Sequence, residues 1–141
     1  MKLVAIAIVV CLSLCATLAV AADYNVSDDF VSNNLVYNIN GSTNPTLTLV
    51  RGSTYTFAVS ALGHPFWIKT VQSTTQANAY QTGVTNNGTS NSTLTFVVPV
   101  NAPSTLFYNC EFHSTMTGQI NVVNPTSVSA QSWGRIKFLY R

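Results

Sequence analysis

The chain has 141 residues, of which only 7% are Asp, Glu, Lys or Arg, and its formal net charge is +2. This length suits one small domain and leaves no room for a two-domain enzyme. Half of the basic residues stand in the last few positions, so the body of the domain has no basic face for nucleic acid, and its scattered acidic residues give no carboxylate pair for acid–base hydrolysis.

Residues 1–21 are predicted to form a secretory signal peptide. A short positive start is followed by a nearly unbroken apolar run over residues 3–20, which ends on the small-residue cleavage pattern Ala-Val-Ala. An uncleaved membrane anchor is the alternative, because the run approaches the length that crosses a bilayer. Cleavage removes Cys11 and Cys15, so the mature chain is expected to be secreted, or periplasmic in a bacterium, and to retain one cysteine, Cys110.

The rest of the chain shows apolar residues at every second position in short runs, separated by turn residues. This pattern is typical of antiparallel strands and predicts an all-β domain over residues 22–123, without a long amphipathic helix. Seven or eight such strands bury one face each by forming a two-sheet sandwich. A weak strand is predicted near Tyr24, followed by strands at Leu35–Ile39, Thr46–Val50, Thr54–Ser60, Phe66–Thr70, Thr93–Val98, Thr105–Asn109 and Gln119–Val123.

Two segments lack this periodicity. Residues 71–92 are polar, and we expect a long surface loop there, with a short helical turn near 75–80 as the alternative. The tail at 124–141 is expected to be disordered, although its basic and aromatic end leaves contact with an anionic membrane or a partner open. N-linked glycosylation in a eukaryotic secretory pathway is permitted, though not shown, by the triplets at Asn25, Asn40, Asn87 and Asn91.

Four potential ligands of one metal ion remain after the signal peptide: His64, Cys110, His113 and Met116. The last three form the motif C-x2-H-x2-M, and strand parity points both His64 and Cys110 towards the interior at strand ends. A lone cysteine in a secreted chain is more often an inert buried thiol or half of an intermolecular disulfide, but the neighbouring ligands argue for a metal. Two imidazoles, a thiolate and a weak thioether suit copper, whereas zinc gains nothing from the thioether.

With this motif, the upstream histidine and the sandwich pattern, the chain resembles the cupredoxins, the type 1 (blue) copper proteins of the amicyanin and plastocyanin kind. The resemblance covers residues 36–123. It implies a Greek-key β-sandwich with one type 1 copper ion, held by His64, Cys110 and His113 as trigonal ligands and by Met116 as the axial ligand. It also implies a single-electron carrier, not an enzyme, that exchanges electrons with a small redox partner protein through the exposed edge of His113.

Other functions compete with electron transfer. An extracellular copper-binding module for capture or delivery, without electron transfer, is the alternative. Multicopper oxidases and copper nitrite reductases use the same kind of domain, but they need additional histidine ligands, and both histidines of this chain are already assigned. We expect a monomer that binds neither nucleic acid nor a membrane.

One departure from the resembling family lies beside the sulfur. In amicyanin and plastocyanin an Asn follows the upstream histidine and its amide donates to the cysteine sulfur, but here the residue is Pro65, which has no N–H. Phe112 stands where those relatives have a proline, so we expect its amide to donate instead. Docking should depend little on salt, because Glu111 is the one formal charge expected beside the rim of the site, formed by Leu62, Gly63, Pro65, Phe112, Ser114 and Thr115.

Overall fold

The computed structural model describes residues 21–126. The predicted signal peptide, apart from its last residue, and positions 127–141 of the predicted tail lie outside the described residues. The one helical element in 21–126 is a 3-10 turn at Gln76–Asn78, and no helix in this range could span a membrane. The ten strands are β1 (Tyr24–Val31), β2 (Asn34–Ile39), β3 (Ser42–Thr43), β4 (Leu47–Val50), β5 (Thr54–Ser60), β6 (Phe66–Lys69), β7 (Val84–Thr85), β8 (Asn91–Val97), β9 (Thr105–Cys110) and β10 (Thr117–Val123).

The strands form two sheets, which confirms the predicted all-β, two-sheet architecture. The larger sheet has six strands in the order β3-β2-β1-β5-β8-β7, and the smaller has four in the order β4-β10-β9-β6. All eight predicted strands are present, and most of their ends differ from the predicted ones by about one or two residues. The additional strands β3 and β7 have two residues each, which is too short to create a periodic pattern.

The expectation of purely antiparallel pairing is wrong at two places. Strand β1 pairs with β5, and β4 with β10, in parallel register. The alternation of apolar residues shows that one face of a strand is buried, but it does not report the direction of the neighbouring strand. The direction depends on which distant segment docks beside the strand.

An aromatic cluster fills the core below the end of the sandwich where β9 stops. The ring centroid of Phe66 lies 5.1 Å from that of Tyr37, 5.3 Å from that of Tyr108 and 5.6 Å from that of Phe57, and all four side chains are fully buried. Such ring pairs add about 0.5–1.5 kcal/mol each beyond their burial. Because Phe66 on β6 pairs with Cys110 on β9, this cluster supports the region of the predicted ligands.

The polar segment between β6 and β8 is fastened to the smaller sheet, and the short helical turn considered for it is present at Gln76–Asn78. Lys69 is fully buried beneath the segment, and its Nζ donates to the carbonyl oxygens of Ser73 at 2.5 Å and Thr75 at 2.8 Å. Desolvation lowers the pKa of Lys69, against an opposing effect of the Glu111 carboxylate. A buried lysine at this position has no signature in the sequence pattern.

Candidate metal centre

The four predicted ligands lie on two chain segments at one end of the sandwich. His64 belongs to the turn that connects β5 to β6, and its N–H donates to the carbonyl oxygen of Ala61 at 2.8 Å. Cys110 is the last residue of β9, and the tight loop that follows carries His113 and Met116 before β10 begins. Because β6 and β9 are antiparallel neighbours, the start of β6 and the end of β9 meet.

Three donor atoms converge where these segments meet. The Nδ1 atoms of His64 and His113 are 3.1 Å apart, and the Sγ of Cys110 lies 4.0 Å from the first and 3.8 Å from the second. The point equidistant from the three atoms falls inside their triangle, at about 2.1 Å from each, close to the lengths of metal bonds to imidazole nitrogen and thiolate sulfur. The three side chains therefore fit a single ion in their plane.

The sulfur of Cys110 has a hydrogen-bond donor of its own. Cys110 is fully buried and is a free cysteine among residues 21–126. The backbone N–H of Phe112 donates to the Sγ at 3.4 Å, which confirms the expected donor. Pro65 has no N–H to offer, and its carbonyl oxygen accepts a hydrogen bond from the Tyr37 hydroxyl at 2.9 Å instead. The sulfur therefore faces the two imidazole nitrogens with a backbone N–H already bonded to it.

Met116 is fully buried at the far end of the ligand loop. Its carbonyl oxygen accepts a hydrogen bond from the N–H of Cys110 at 2.9 Å, and its own N–H donates to the carbonyl oxygen of His113 at 3.2 Å. These bonds close the loop and bring Met116 beside Cys110. The roles of the four residues as ligands, and that of the Met116 thioether above all, stay predictions.

Side chains from the larger sheet hold the ligand loop in place. Asn44, which follows β3, donates from Nδ2 to the carbonyl oxygen of Thr115 at 2.8 Å and accepts from the N–H of Tyr37 at 2.9 Å. The Thr115 hydroxyl donates to the carbonyl oxygen of Leu35 at 2.6 Å. The Tyr37 hydroxyl also donates to the carbonyl oxygen of His64 at 3.0 Å, and burial raises the pKa of Tyr37, which keeps it a neutral donor. The sequence did not reveal that Tyr37 and Asn44 hold the ligand segments. Asn44 lies in a predicted turn, and nothing in that position indicates that its side chain binds the ligand loop.

The surface around the site is largely apolar, as expected for its rim. Leu62 is 80% exposed and Phe112 is 62% exposed, while His64 and His113 are partly buried. Leu62 and Phe112 thus leave apolar area exposed beside the two partly buried histidines.

Three acidic residues lie at this end of the molecule, so the expectation of a single nearby charge is wrong. Glu111 follows Cys110 and accepts a hydrogen bond from Gln76 Nε2 at 2.7 Å. Strand β1 extends beyond its last contact with β5 and forms with β2 a hairpin that is bonded to the ligand loop. Asp28 and Asp29 are exposed on this hairpin. The weak pattern near Tyr24 did not reveal how far β1 extends.

Solved structures of rusticyanin are similar to this chain. The structure of a rusticyanin variant matches with a TM-score of 0.52 and 16% identity, covering 71% of this chain and 75% of that chain. Rusticyanin from Thiobacillus ferrooxidans matches with a TM-score of 0.46 and 17% identity, covering 70% and 76%. A variant of the multicopper oxidase McoA from Aquifex aeolicus matches at 0.43 and 18%, over 71% of this chain and 26% of the oxidase. No family model and no curated protein matches the chain.

The first of these matches decides the fold, although its low sequence identity supports nothing finer. The chain has a cupredoxin fold. Its strands, their division into two sheets and the position of the ligand segments agree with the resemblance drawn from the C-x2-H-x2-M motif. In a cupredoxin domain, two imidazole nitrogens and a buried thiol within 4.8 Å of one another indicate a type 1 copper.

Proposed function

We propose that this cupredoxin is a secreted single-electron carrier, not an enzyme, that holds one type 1 copper ion. His64, Cys110 and His113 would be the trigonal ligands and Met116 the axial ligand. The observation that carries the proposal is the triangle of two Nδ1 atoms and one Sγ, with edges of 3.1, 3.8 and 4.0 Å. These donors match the softness that copper prefers in both of its oxidation states.

Copper, when bound, supplies a reversible change between Cu(I) and Cu(II). The task of the protein is to keep its ligands in place during that change, because movement of the ligands slows electron transfer. The hydroxyl of Tyr37 holds the carbonyl oxygen of His64, and Asn44 holds that of Thr115, so both ligand segments are fixed from the larger sheet. This fixed, buried arrangement favours an electron carrier over a delivery module, which has to release its ion.

Redox cycling in the presence of a Cu(I) chelator tests the proposed function. We expect the copper-loaded protein to be reduced and reoxidised reversibly by one electron, and to keep its copper in both states. Copper that leaves on reduction, or a copper form that no reductant reduces, would count against electron transfer. Either result would favour the alternative function of copper capture or delivery.

The axial role proposed for Met116 has its own test. Met116→Leu conserves the volume of this fully buried side chain but removes the sulfur. We expect the variant to bind copper and to remain blue, with a higher reduction potential, because loss of a weak donor disfavours Cu(II). A potential equal to that of the unaltered protein would show that the thioether is not a ligand.

The proposed partner is a small redox protein that docks over the edge of His113. Leu62 and Phe112 offer exposed apolar contact area there. Asp28 and Asp29 on the neighbouring hairpin favour a partner whose contact surface has a basic rim. A monomer is sufficient for this role, and neither nucleic acid nor a membrane takes part in it.

Secretion is also proposed, and so is N-glycosylation at two of the four triplets. Asn40 is left out because its Nδ2 donates to the carbonyl oxygen of Asp23 at 3.0 Å, whereas Asn25 and Asn91 are the proposed sites. Both residues are exposed, and both lie on the outer face of the larger sheet. Asn87 is a poor acceptor in the folded domain, because its Nδ2 donates to the carbonyl oxygens of Ile68 at 3.2 Å and Tyr80 at 3.0 Å. A sugar on that nitrogen would displace one of these bonds.

Expression in a eukaryotic secretory host tests this part of the proposal. We expect a mature N-terminus near Ala22 or Asp23, and mass spectrometry after enzymatic removal of glycans should detect conversion to Asp at Asn25 and Asn91. Retention of the leader would contradict secretion. Modification of Asn87, or the absence of modification at both Asn25 and Asn91, would contradict the choice of sites.

A further inference from the structure

Asn109, which precedes Cys110 on β9, is a polar side chain in a buried position. It is 1% exposed and therefore cannot exchange hydrogen bonds with bulk water. Its Nδ2 donates to the carbonyl oxygens of Cys110 at 3.2 Å and Met116 at 3.3 Å. Its Oδ1 accepts from the hydroxyl of Thr117 at 3.1 Å. A buried amide without these partners would cost about 1–3 kcal/mol.

The orientation of the Asn109 amide is determined by its neighbours. Two carbonyl oxygens face one end of the amide, and a carbonyl can only accept, so this end is the NH2 group. At the other end, the single proton of the Thr117 hydroxyl is shared between Asn109 Oδ1 at 3.1 Å and the carbonyl oxygen of Tyr108 at 2.9 Å. The side chain is therefore held in one rotamer and one flip state.

The two carbonyl oxygens that Asn109 binds belong to the first and last residues of the ligand loop. The carbonyl oxygen of Met116 accepts from Asn109 Nδ2 and also from the N–H of Cys110. The Asn109 side chain thus connects the two ends of the loop between β9 and β10. Its contribution adds to the backbone bond from the N–H of Cys110 to the carbonyl oxygen of Met116.

We propose that Asn109 is a positioning residue, which sets the spacing between Cys110 and Met116 and thereby the properties of the metal site. The inference rests on the proposed copper site. A side chain that acts through the backbone of two ligands alters metal affinity and electronic structure without touching the ion. In this chain, Asn109 restrains the ligand loop from within β9 through these two carbonyl oxygens.

Asn109→Leu removes the two donors and keeps a side chain of similar volume. We expect the affinity for copper, measured by competition with a chelator, to fall about 10- to 100-fold. We also expect a change in the relative intensities of the visible charge-transfer bands and in the copper hyperfine splitting of the EPR spectrum. Asn121→Leu, on the neighbouring strand β10, is the matched control and should leave all three measurements unchanged.

Thr117→Val provides a second variant, in case Asn109→Leu fails to fold. It removes the hydroxyl that orients Oδ1 while leaving Asn109 in place. We expect the same spectral changes with smaller amplitude. A purely structural residue would lower the thermal stability of the metal-free protein and leave the spectrum unaltered.

The outcomes separate this inference from the proposed function. If the unaltered protein takes up no copper, the proposed function fails and the inference fails with it. If the unaltered protein turns blue and Asn109→Leu matches it in affinity, visible spectrum and EPR spectrum, the positioning role of Asn109 alone is refuted.

Discussion

At the scale of single residues, one backbone amide distinguishes this site. The N–H of Phe112 is 3.4 Å from the sulfur of Cys110, whereas the residue after the upstream histidine, Pro65, has no N–H. A hydrogen bond to a thiolate withdraws electron density that the sulfur would otherwise donate to Cu(II). The amide therefore favours the reduced state of the proposed site.

Replacing Phe112 by proline tests this contribution. Phe112→Pro removes the N–H, so we expect a lower reduction potential, measured by voltammetry of the copper-loaded protein. Phe112→Ala keeps the amide and removes only the exposed ring, which makes it the matched control. Equal potentials for the proline and alanine variants would mean that the amide has no electronic effect.

The candidate ligands could be predicted from the sequence, but most of their supports could not. Cys110, His113 and Met116 form a compact motif, and its residue types alone indicate the chemistry. Asn109 and Asn44 have no such signature, because their partners are backbone carbonyl groups that come near them only in the folded chain. Phe112 was predictable as a donor from the resemblance, because it stands where those relatives have a proline without an N–H.

At the scale of the strands, β9 and β10 depend on the absence of a side chain at one position. Gly118 on β10 pairs with Tyr108 on β9, and an added Cβ at Gly118 would lie 2.2 Å from the Tyr108 hydroxyl oxygen and 2.4 Å from the ring carbon that bears it. The ring cannot swing away freely, since its hydroxyl donates to the carbonyl oxygen of Pro45 at 2.7 Å. Overpacking of this kind costs about 1–3 kcal/mol.

Gly118→Ala is therefore expected to lower the free energy of unfolding by about 1–3 kcal/mol, measured by urea denaturation of the metal-free protein. Gln119→Ala, at the next and exposed position of β10, should have little effect. An unchanged denaturation midpoint for Gly118→Ala would contradict this prediction. It would show that Gly118 and Tyr108 can move apart to admit the methyl group without loss of stability.

Strand β1 is attached to β5 by a carboxylate. Asp23 accepts hydrogen bonds from the N–H of Thr56 at 2.7 Å and from its hydroxyl at 2.9 Å. The backbone bond, with a smaller effect of the hydroxyl, lowers the pKa of Asp23 from its ordinary value of 3.8. A carboxylate with a lowered pKa contributes stability that is present above the unfolded value and is lost as the pH falls through the folded value.

Melting temperatures of the metal-free protein between about pH 2 and pH 6 test this attachment. Above about pH 4, Asp23→Asn should melt at a lower temperature than the unaltered protein. The difference should shrink as the pH falls and Asp23 becomes protonated. A difference that stays constant over the whole range would exclude the carboxylate charge as its cause.

A strand could be predicted from the sequence where its own residues alternate between apolar and polar. Eight segments alternate clearly enough to be recognised, and β5 has the predicted bounds, Thr54–Ser60. The pairs β1/β5 and β4/β10 are parallel for reasons that lie in the docking of distant segments. Strands β3 and β7 have two residues each and no periodicity of their own, so only their pairing with neighbouring strands defines them.

At the scale of the whole molecule, charge is unevenly distributed along the sandwich. Asp28, Asp29 and Glu111 lie at the end of the candidate metal centre. Arg51 lies at the opposite end, in the turn between β4 and β5, where its guanidinium donates to the carbonyl oxygens of Val100 and Ala102. Within residues 21–126 this end therefore has three carboxylates against one buried cation, Lys69, so we now predict that docking depends on salt.

Electron exchange with small charged complexes tests this polarity. The rate of oxidation of the reduced copper form by a cationic ruthenium ammine complex should fall as salt is raised, because screening is strong beyond about 10 Å at 0.1 M salt. The rate with anionic hexacyanoferrate(III) should rise. The double variant Asp28→Asn with Asp29→Asn should weaken both trends. Rates that are independent of salt for both complexes would refute an acidic docking surface.

The central claim is that Cys110 completes a copper site with His64 and His113. The most direct measurement is a titration of the mature, metal-free protein with Cu(II), followed by its visible absorption spectrum. We expect an intense blue absorption that saturates at one equivalent of copper and is absent from Cys110→Ser. A protein that stays colourless with Cu(II), or a Cys110→Ser variant that is equally blue, would contradict the account.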